Sequence, residues 1–310
     1  MRIVFLGTPE FAVASLDALV NEGFTIAAVV TAPDKPAGRG MKLTESAVKR
    51  YAFEKGLKVL QPEKLKDPKF IEQLKSLKAD LQIVVAFRML PEVVWNMPPM
   101  GTINLHASLL PDYRGAAPIN WAIINGEKET GVTTFKLSHE IDTGNILLQE
   151  KLLINENETA GELHDKLKIP GAQLVVKTVH GLESGALKEI QQVETNDRHN
   201  KKAPKIFTET CRINWNKSVD EIHNLIRGLS PHPAAFIELE KKMLKIYRSE
   251  KEFTNPLVST GKIETDKKTF LKFACTDGYI HVKELQLEGK KKMNVEDFLR
   301  GHRNTNYKKH

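Results

Sequence analysis

Apolar residues along this chain fall into short continuous runs, separated by longer stretches in which they recur every three or four positions. Arg2–Gly7 is apolar after its first residue and ends in glycine, and from about Phe11 to Val20 the positions Phe11, Val13, Leu16, Leu19 and Val20 mark a helical pattern. Strand, turn and helix follow from that pattern. Thr25–Thr31, Leu81–Ala86 and Gly101–His106 read as further strands, with helical stretches around 45–56 and 67–78 between them. Apolar strands that alternate with amphipathic helices predict an α/β fold, a doubly wound and mostly parallel sheet covered on both faces. Such a sheet places its ligand at the carboxyl ends of its strands.

A helical stretch near 159–184 is followed by a change of character, because residues 186–208 are polar and irregular and end in RHNKKAPKI. That composition predicts a linker. Beyond it come one amphipathic helix over Val219–Arg227 and the short runs Ala235–Leu239, Met243–Tyr247, Thr269–Ala274 and Tyr279–Leu287. Short strands punctuated by turn residues predict a small barrel or sandwich. The expected division is therefore a first domain over 1–188, a linker over 189–207 and a smaller second domain over 208–310.

Charge sharpens that division. Residues 201–310 carry 23 Lys and Arg against 14 Asp and Glu, whereas residues 1–200 carry 23 against 25. A basic second domain suits a polyanionic partner, since cations that neutralise phosphates gain affinity by releasing counterions; a solvated lysine-rich surface has the same composition. The two cysteines, Cys211 and Cys275, stand far apart and lack partners at metal-ligand spacing, so neither a disulfide framework nor a metal site is expected. No apolar run approaches the roughly 18 to 20 residues of a membrane span, and the opening MRIVFLGTPEF lacks a signal-peptide pattern, which predicts a cytoplasmic protein without membrane attachment.

The segment from Asn104 to Asp142 holds the candidate chemistry. Asn104 and His106 lie two apart on a predicted strand, so both leave one face near its carboxyl end. Imidazole exchanges protons near neutrality, and an asparagine amide donates to an oxygen that becomes negative in a tetrahedral intermediate. Asp142 has the chemistry to orient the imidazole or to accept a proton through water. A structural reading of the same residues is a capped strand end and an Asp-Thr-Gly turn. Pro111, Gly115 and Pro118 predict a stiff loop after the strand, where substrates commonly bind.

The stretch NLHASLLPDYRGAAPINWAI, together with IDTGNI, resembles the signature of the enzymes that use 10-formyltetrahydrofolate. The resemblance implies a Rossmann-like formyltransferase domain with a C-terminal, oligonucleotide-binding (OB-like) β-barrel. It also implies Asn104, His106 and Asp142 as a catalytic triad, and Ser108, Leu109, Leu110 and Pro111 as a folate-binding segment. The cosubstrate is then 10-formyltetrahydrofolate, with no metal. FLGTPEFAVASLDAL, PDKPAGRGMKL, IFTETCRINW and GKKKMNVEDFL resemble the branch of that family that formylates methionyl-tRNA, and the likeness runs from residue 2 to about 300. Initiator methionyl-tRNA is the implied partner and a monomer the implied state.

Within Ala32–Leu43, Lys35, Arg39 and Lys42 stand among Pro36, Gly38 and Gly40 as a basic excursion that suits acceptor-stem phosphates, although an ordinary solvated loop has the same composition. The resemblance implies that this loop meets the acceptor end of the tRNA. Departures from the family pattern fall at Phe87-Arg88, where a Tyr-Gly pair is common, at Glu140 in place of a glycine, and at Asn145 in place of an aspartate. His139 is the nearest competitor to His106, and Trp121 is expected to pack in the core behind the site. A sugar-nucleotide formyltransferase and a non-catalytic RNA-binding protein on the same scaffold are the competing functional readings.

Overall fold

The computed structural model describes residues 1–37, 42–192 and 201–301, and they form two compact units. The first comprises Met1–Gly115, Thr130–Leu152 and His164–Lys202; the second comprises Ala116–Glu129, Leu153–Leu163 and the described residues from Ala203 onward. Neither unit is one continuous stretch of chain.

A seven-stranded sheet organises the first unit. Its strands are β1 (Arg2–Gly7), β2 (Thr25–Val30), β3 (Val59–Leu60), β4 (Leu81–Val85), β5 (Thr102–His106), β6 (Glu129–Lys136) and β7 (Ile146–Leu153), in the spatial order β7-β6-β5-β4-β1-β2-β3. β1, β2, β3, β4 and β5 pair in parallel, and β6 runs antiparallel to β5. Five of the six residues of β1 and all five of β4 are buried, which explains their uninterrupted apolar runs: both faces of a wound parallel sheet are covered. One covering layer is helical. Phe70 and Leu74 of the helix Pro68–Ser76 join Val4, Leu6, Val30 and Val84 in a continuous core, where each large side chain contributes about 1.5–3 kcal/mol by leaving water.

The helices begin where their caps are written. Ser46 accepts the Lys49 amide at the start of Ala47–Glu54, and Asp67 accepts the Lys69 amide ahead of Pro68. The chain leaves β1 for β2 and β3 on one side, then returns past β1 to β4 and β5 on the other. The strand order therefore reverses between β1 and β4, and a crevice opens there at the carboxyl ends.

The second unit carries a six-stranded antiparallel sheet built on β8 (Ala235–Leu239), β9 (Lys242–Phe253), β10 (Ile263–Thr265), β11 (Leu271–Ala274) and β12 (Gly278–Leu287), in the order β8-β9-β12-β11-β10, with Met293–Asn294 paired to β12. The predicted strand Met243–Tyr247 is longer than its apolar run, because β9 continues through a mostly charged stretch, Arg248–Phe253, in which only Ser249 is buried. The helix Val219–Leu229 opens with a reciprocal cap between Ser218 and Glu221 and lays Ile222 and Ile226 on this sheet's core. Trp121 belongs to this unit and not to the core behind the expected site: its indole donates to the Pro204 carbonyl at 2.8 Å. No helix among the described residues is long and apolar enough to cross a membrane.

His223, on the same helix, is only 3% exposed. Its Nδ1 lies 3.0 Å from the Ser249 hydroxyl, and its Nε2 has no hydrogen-bond partner among the described residues. Burial first, then the positive charges of Arg227 and Lys251, push its pKa down to about 4, against the pull of Asp220 and Glu156. Between the unfolded value of 6.5 and that depressed value the unfolded chain holds a proton the folded chain refuses. Stability is thus complete above pH 6.5 and declines as pH falls toward 4, by roughly 3 kcal/mol. Calorimetric melting of the protein across this window should show the decline, and His223→Asn should flatten it; an equally steep profile in the variant refutes the assignment.

Candidate active site

The crevice at the strand reversal is an open cavity of about 670 Å³, lined by Thr8 and Pro9 after β1, Ala32–Lys35 after β2, Glu63, and Ala86, Phe87 and Arg88 after β4. β5 lies beside β4, and it ends at His106. Asn104 and His106 stand on one face of β5, as their spacing predicts, with Asn104 half-buried and His106 buried. The His106 ring meets the fully buried Phe135 of β6 edge-on, at 6.5 Å between centroids.

Two partners fix the state of His106. Its Nε2 lies 2.8 Å from the Tyr113 carbonyl oxygen, and a carbonyl only accepts, so Nε2 carries hydrogen. Nδ1 is then the nitrogen left for proton exchange. Asp142 Oδ2 faces it at 3.9 Å, longer than a hydrogen bond, with both side chains largely shielded from solvent. The structure sets His106 and Asp142 against each other in the first unit, with Asn104 two residues before His106 on the same strand face.

Asp142 occupies a demanding backbone position, at φ 56°, in the left-handed region that aspartate tolerates better than most residues. The Gly115 amide donates to its Oδ2 at 2.9 Å. Gly144, two residues on, is required by space: a Cβ there would stand 1.7 Å from the Lys136 carbonyl oxygen. The Asp-Thr-Gly sequence is therefore both a turn and a device for aiming a carboxylate.

Ser108, Leu109, Leu110 and Pro111 follow directly from β5. The Ser108 hydroxyl donates to the Asp112 carbonyl, its own carbonyl accepts from the Thr133 hydroxyl, and the Leu110 amide donates back to Thr133 Oγ1. Gln149 donates to the Leu110 carbonyl and to Thr133. Ser108 and Leu110 are buried, and Leu109 packs against Gly131. Internal bonds and packing thus hold this segment rigid.

Lys35 is exposed and lines the cavity. It opens a short hairpin in which Lys35–Ala37 pairs with Lys42–Thr44, so the backbone places Lys42 opposite Ala37; Arg39 lies outside the described residues. Asp34, beside Lys35, receives Lys49 at 2.5 Å and Gln61 at 2.8 Å, and these bonds, the lysine's first, hold its carboxyl below the usual range. The departure at Arg88 has a structural use, since its guanidinium donates to the carbonyls of Glu63 and Pro62 across the cavity rim. His139 is exposed and set against Trp95 and Glu92, apart from this constellation.

Tyr113 and Gln192 contribute to the site without having been singled out by the sequence, and Gly115, expected only to stiffen the loop, also donates its amide to Asp142. Tyr113 and Gly115 act through backbone atoms, which side-chain chemistry does not announce. Gln192, whose amide reaches the Asp142 and Gly144 carbonyls, sits in a polar stretch with no motif. Among the described residues no group of three His, Cys, Asp or Glu side chains is arranged to hold a metal ion.

Two family models match this chain. The one described as formyl transferase spans residues 1–179, and the one described as formyl transferase, C-terminal domain, spans 205–303. The chain is 55% identical to the methionyl-tRNA formyltransferase of Azobacteroides pseudotrichonymphae genomovar. CFP2, over 97% of this chain and 95% of that one. It is also 55% identical to that of Phocaeicola vulgatus, over 100% and 98%. Among solved structures, an N-formyltransferase from Helicobacter canadensis, in complex with folinic acid and dTDP-3-aminofucose, shares the fold with a TM-score of 0.68 at 23% identity, covering 94% of this chain and all of that one. HypX from Aquifex aeolicus in complex with tetrahydrofolic acid aligns with a TM-score of 0.65 at 18% identity, over 96% of this chain and 47% of its own. With both family models and near-full-length relatives in agreement, the chain belongs to the formyl transferase family.

Proposed function

We propose that this chain, as a cytoplasmic monomer, transfers the formyl group of 10-formyltetrahydrofolate to the free amino group of methionine on initiator tRNA, so supplying formylmethionine for translation initiation. What supports this reading is His106, at the carboxyl end of β5, facing Asp142 at 3.9 Å in a chain 55% identical to enzymes named for that reaction. Residues 1–188 would do the chemistry, 189–207 would connect, and 208–310 would form an OB-like tRNA-binding domain.

In the reaction the methionine nitrogen forms a bond to the formyl carbon, whose oxygen gains negative charge. Collapse breaks the bond to the folate N10, which leaves with a proton, while the amine gives one up. Asn104 would donate its amide to the developing oxyanion. His106, held through Nε2 by Tyr113, has Nδ1 free to take a proton and then to donate it, and Asp142 faces that nitrogen from 3.9 Å. A water between them would complete the path for the proton leaving the amine. Ser108, Leu109, Leu110 and Pro111, stiffened from within, would form the wall against which the folate is seated.

Formyl transfer to charged initiator tRNA tests the assignment. Asn104→Ala and His106→Ala should each lower kcat about 100- to 1000-fold while leaving both KM values largely unchanged, the usual loss when an oxyanion donor or a group that transfers a proton is removed. Full turnover in His106→Ala contradicts the mechanism, and formylation of an amino sugar nucleotide in place of tRNA contradicts the substrate.

Lys35, Arg39 and Lys42 would meet acceptor-stem phosphates, joined by the positive charge of residues 201–310. Raising salt from 50 to 200 mM should therefore weaken tRNA binding steeply and folate binding little, and Arg39→Ala should reduce the slope for tRNA. Equal salt sensitivity of the two ligands removes this division of labour.

A further inference from the structure

We propose that Gln192 is a positioning residue for formyl transfer, its side-chain amide holding the backbone of the Asp142 turn so that the carboxylate faces His106. The inference rests on the reading of Asp142 given above. It starts from a bonding pattern that only one kind of side chain satisfies. Gln192 Nε2 donates to the carbonyl oxygens of Asp142, at 2.9 Å, and Gly144, at 2.7 Å. Its Oε1 accepts from Arg114 Nε, at 3.1 Å, and from Arg114 Nη2, at 2.8 Å. Carbonyls have no hydrogen to give and a guanidinium has no lone pair to offer, so the residue between them must donate on one side and accept on the other. A glutamate would set negative oxygen against two carbonyls, and a lysine would set its charge against Arg114.

The bonds fall where the turn needs support. Asp142 sits at φ 56°, a conformation a non-glycine residue holds only when its surroundings impose it. Gln192 grips the carbonyls on both sides of Thr143, while Gly115, adjacent to Arg114 in the chain, donates its amide to the Asp142 carboxylate. One face of the ring of contacts fixes the backbone and the other fixes the side chain.

Gln192 is the last contact of a longer brace. Glu189 accepts from Asn145 at 2.9 Å and pairs with Lys136 at 2.5 Å, and Ile190 exchanges two backbone hydrogen bonds of 2.8 Å with Ile146. Residues 189–192 thus run alongside 142–146 and meet them through Glu189, Ile190 and Gln192. At Lys201 the chain touches the other side of the site, where the Tyr113 amide donates to the Lys201 carbonyl and the Tyr113 carbonyl holds His106. The stretch expected to be a linker is fastened to both catalytic partners.

The test measures formyl transfer to charged initiator tRNA by Gln192→Met, which keeps the shape and loses every bond, and by Gln192→Glu, which keeps only the acceptor for Arg114. Each is made alone and with Asp142→Asn, and thermal melting confirms the fold. Both single variants should lose about 10- to 100-fold in kcat with the two KM values within about twofold, as expected when a reacting group is misplaced. The kcat pH profile should move in the direction that Asp142→Asn moves it. In the Asp142→Asn background Gln192→Met should cost less than about twofold, because the residue it positions is already disabled. Wild-type kcat in Gln192→Met, a full multiplicative loss in the double variant, or restored activity in Gln192→Glu overturns the inference and leaves Asp142 in place. Wild-type kcat in Asp142→Asn instead removes the role of Asp142, and the inference falls with it. If Gln192→Met fails to fold, Gln192→Glu decides by the same kcat and double-variant comparisons.

Discussion

The hydrogen bond between His106 and the Tyr113 carbonyl sets the terms for the rest of the site. Since that oxygen only accepts, one ring nitrogen is committed as a donor and only the other is left to exchange a proton. Tyr113 itself sits at φ 62°, in the loop that follows β5, so the carbonyl that holds the ring depends on a backbone conformation. The internal bonds of Ser108–Pro111 to Thr133, Gln149 and Asp112 maintain that loop. The carbonyl orients the imidazole by holding the hydrogen of Nε2. Asp142 is thereby freed to face Nδ1 without also having to orient the ring.

Placement of this pair follows from the sheet. Parallel strands deliver their carboxyl ends to one edge, and the reversal of order between β1 and β4 leaves a crevice there. β5 adds His106 at the same edge. Asp142 comes from the turn between β6 and β7. β6 runs antiparallel to β5 and ends with Lys136 beside Ile103, at the start of β5, so the turn has to reach back from there for its carboxylate to face His106. The bonds of Gly115 and Gln192 to Asp142 and Gly144 hold the turn in that reach.

The sequence announced most of the elements that are buried on both faces, because their apolar runs are continuous: β1, β2, β4 and β5 stand within a residue of where those runs end. β7 was not legible, since beyond Ile146–Leu147 it alternates exposed and half-buried positions through a charged stretch, and β6 has Thr130, Thr133 and Thr134 buried where an apolar run would be expected. Spacing put Asn104 and His106 on one strand face, but only the resemblance to enzymes that use 10-formyltetrahydrofolate singled them out, with Asp142, as catalytic candidates. Arg39 lies outside the described residues, so the basic loop stands on sequence reasoning together with the hairpin at its base. Tyr113, Gln192 and the bond from Gly115 to Asp142 escaped because backbone atoms and an unremarkable amide carry no signature until the fold sets them against a partner.

The triad cannot by itself choose the acceptor. In the proposed role it would act on a free amine and a formyl carbon, which every such formyl transfer has in common, and the Helicobacter canadensis protein, crystallised with a nucleotide amino sugar, shares this fold at 23% identity. Selectivity must come from groups that bind the acceptor away from its amine. In this chain the groups suited to an RNA are the lysines around the hairpin at residues 35–44 and the excess of positive charge after residue 200. Charge of that kind draws in a polyanion but reads no base, so it increases the rate of encounter more than it discriminates between tRNAs. Discrimination then requires that only a correctly seated acceptor place its amine within reach of His106, and a triad held rigid from behind is what makes a small error in seating costly.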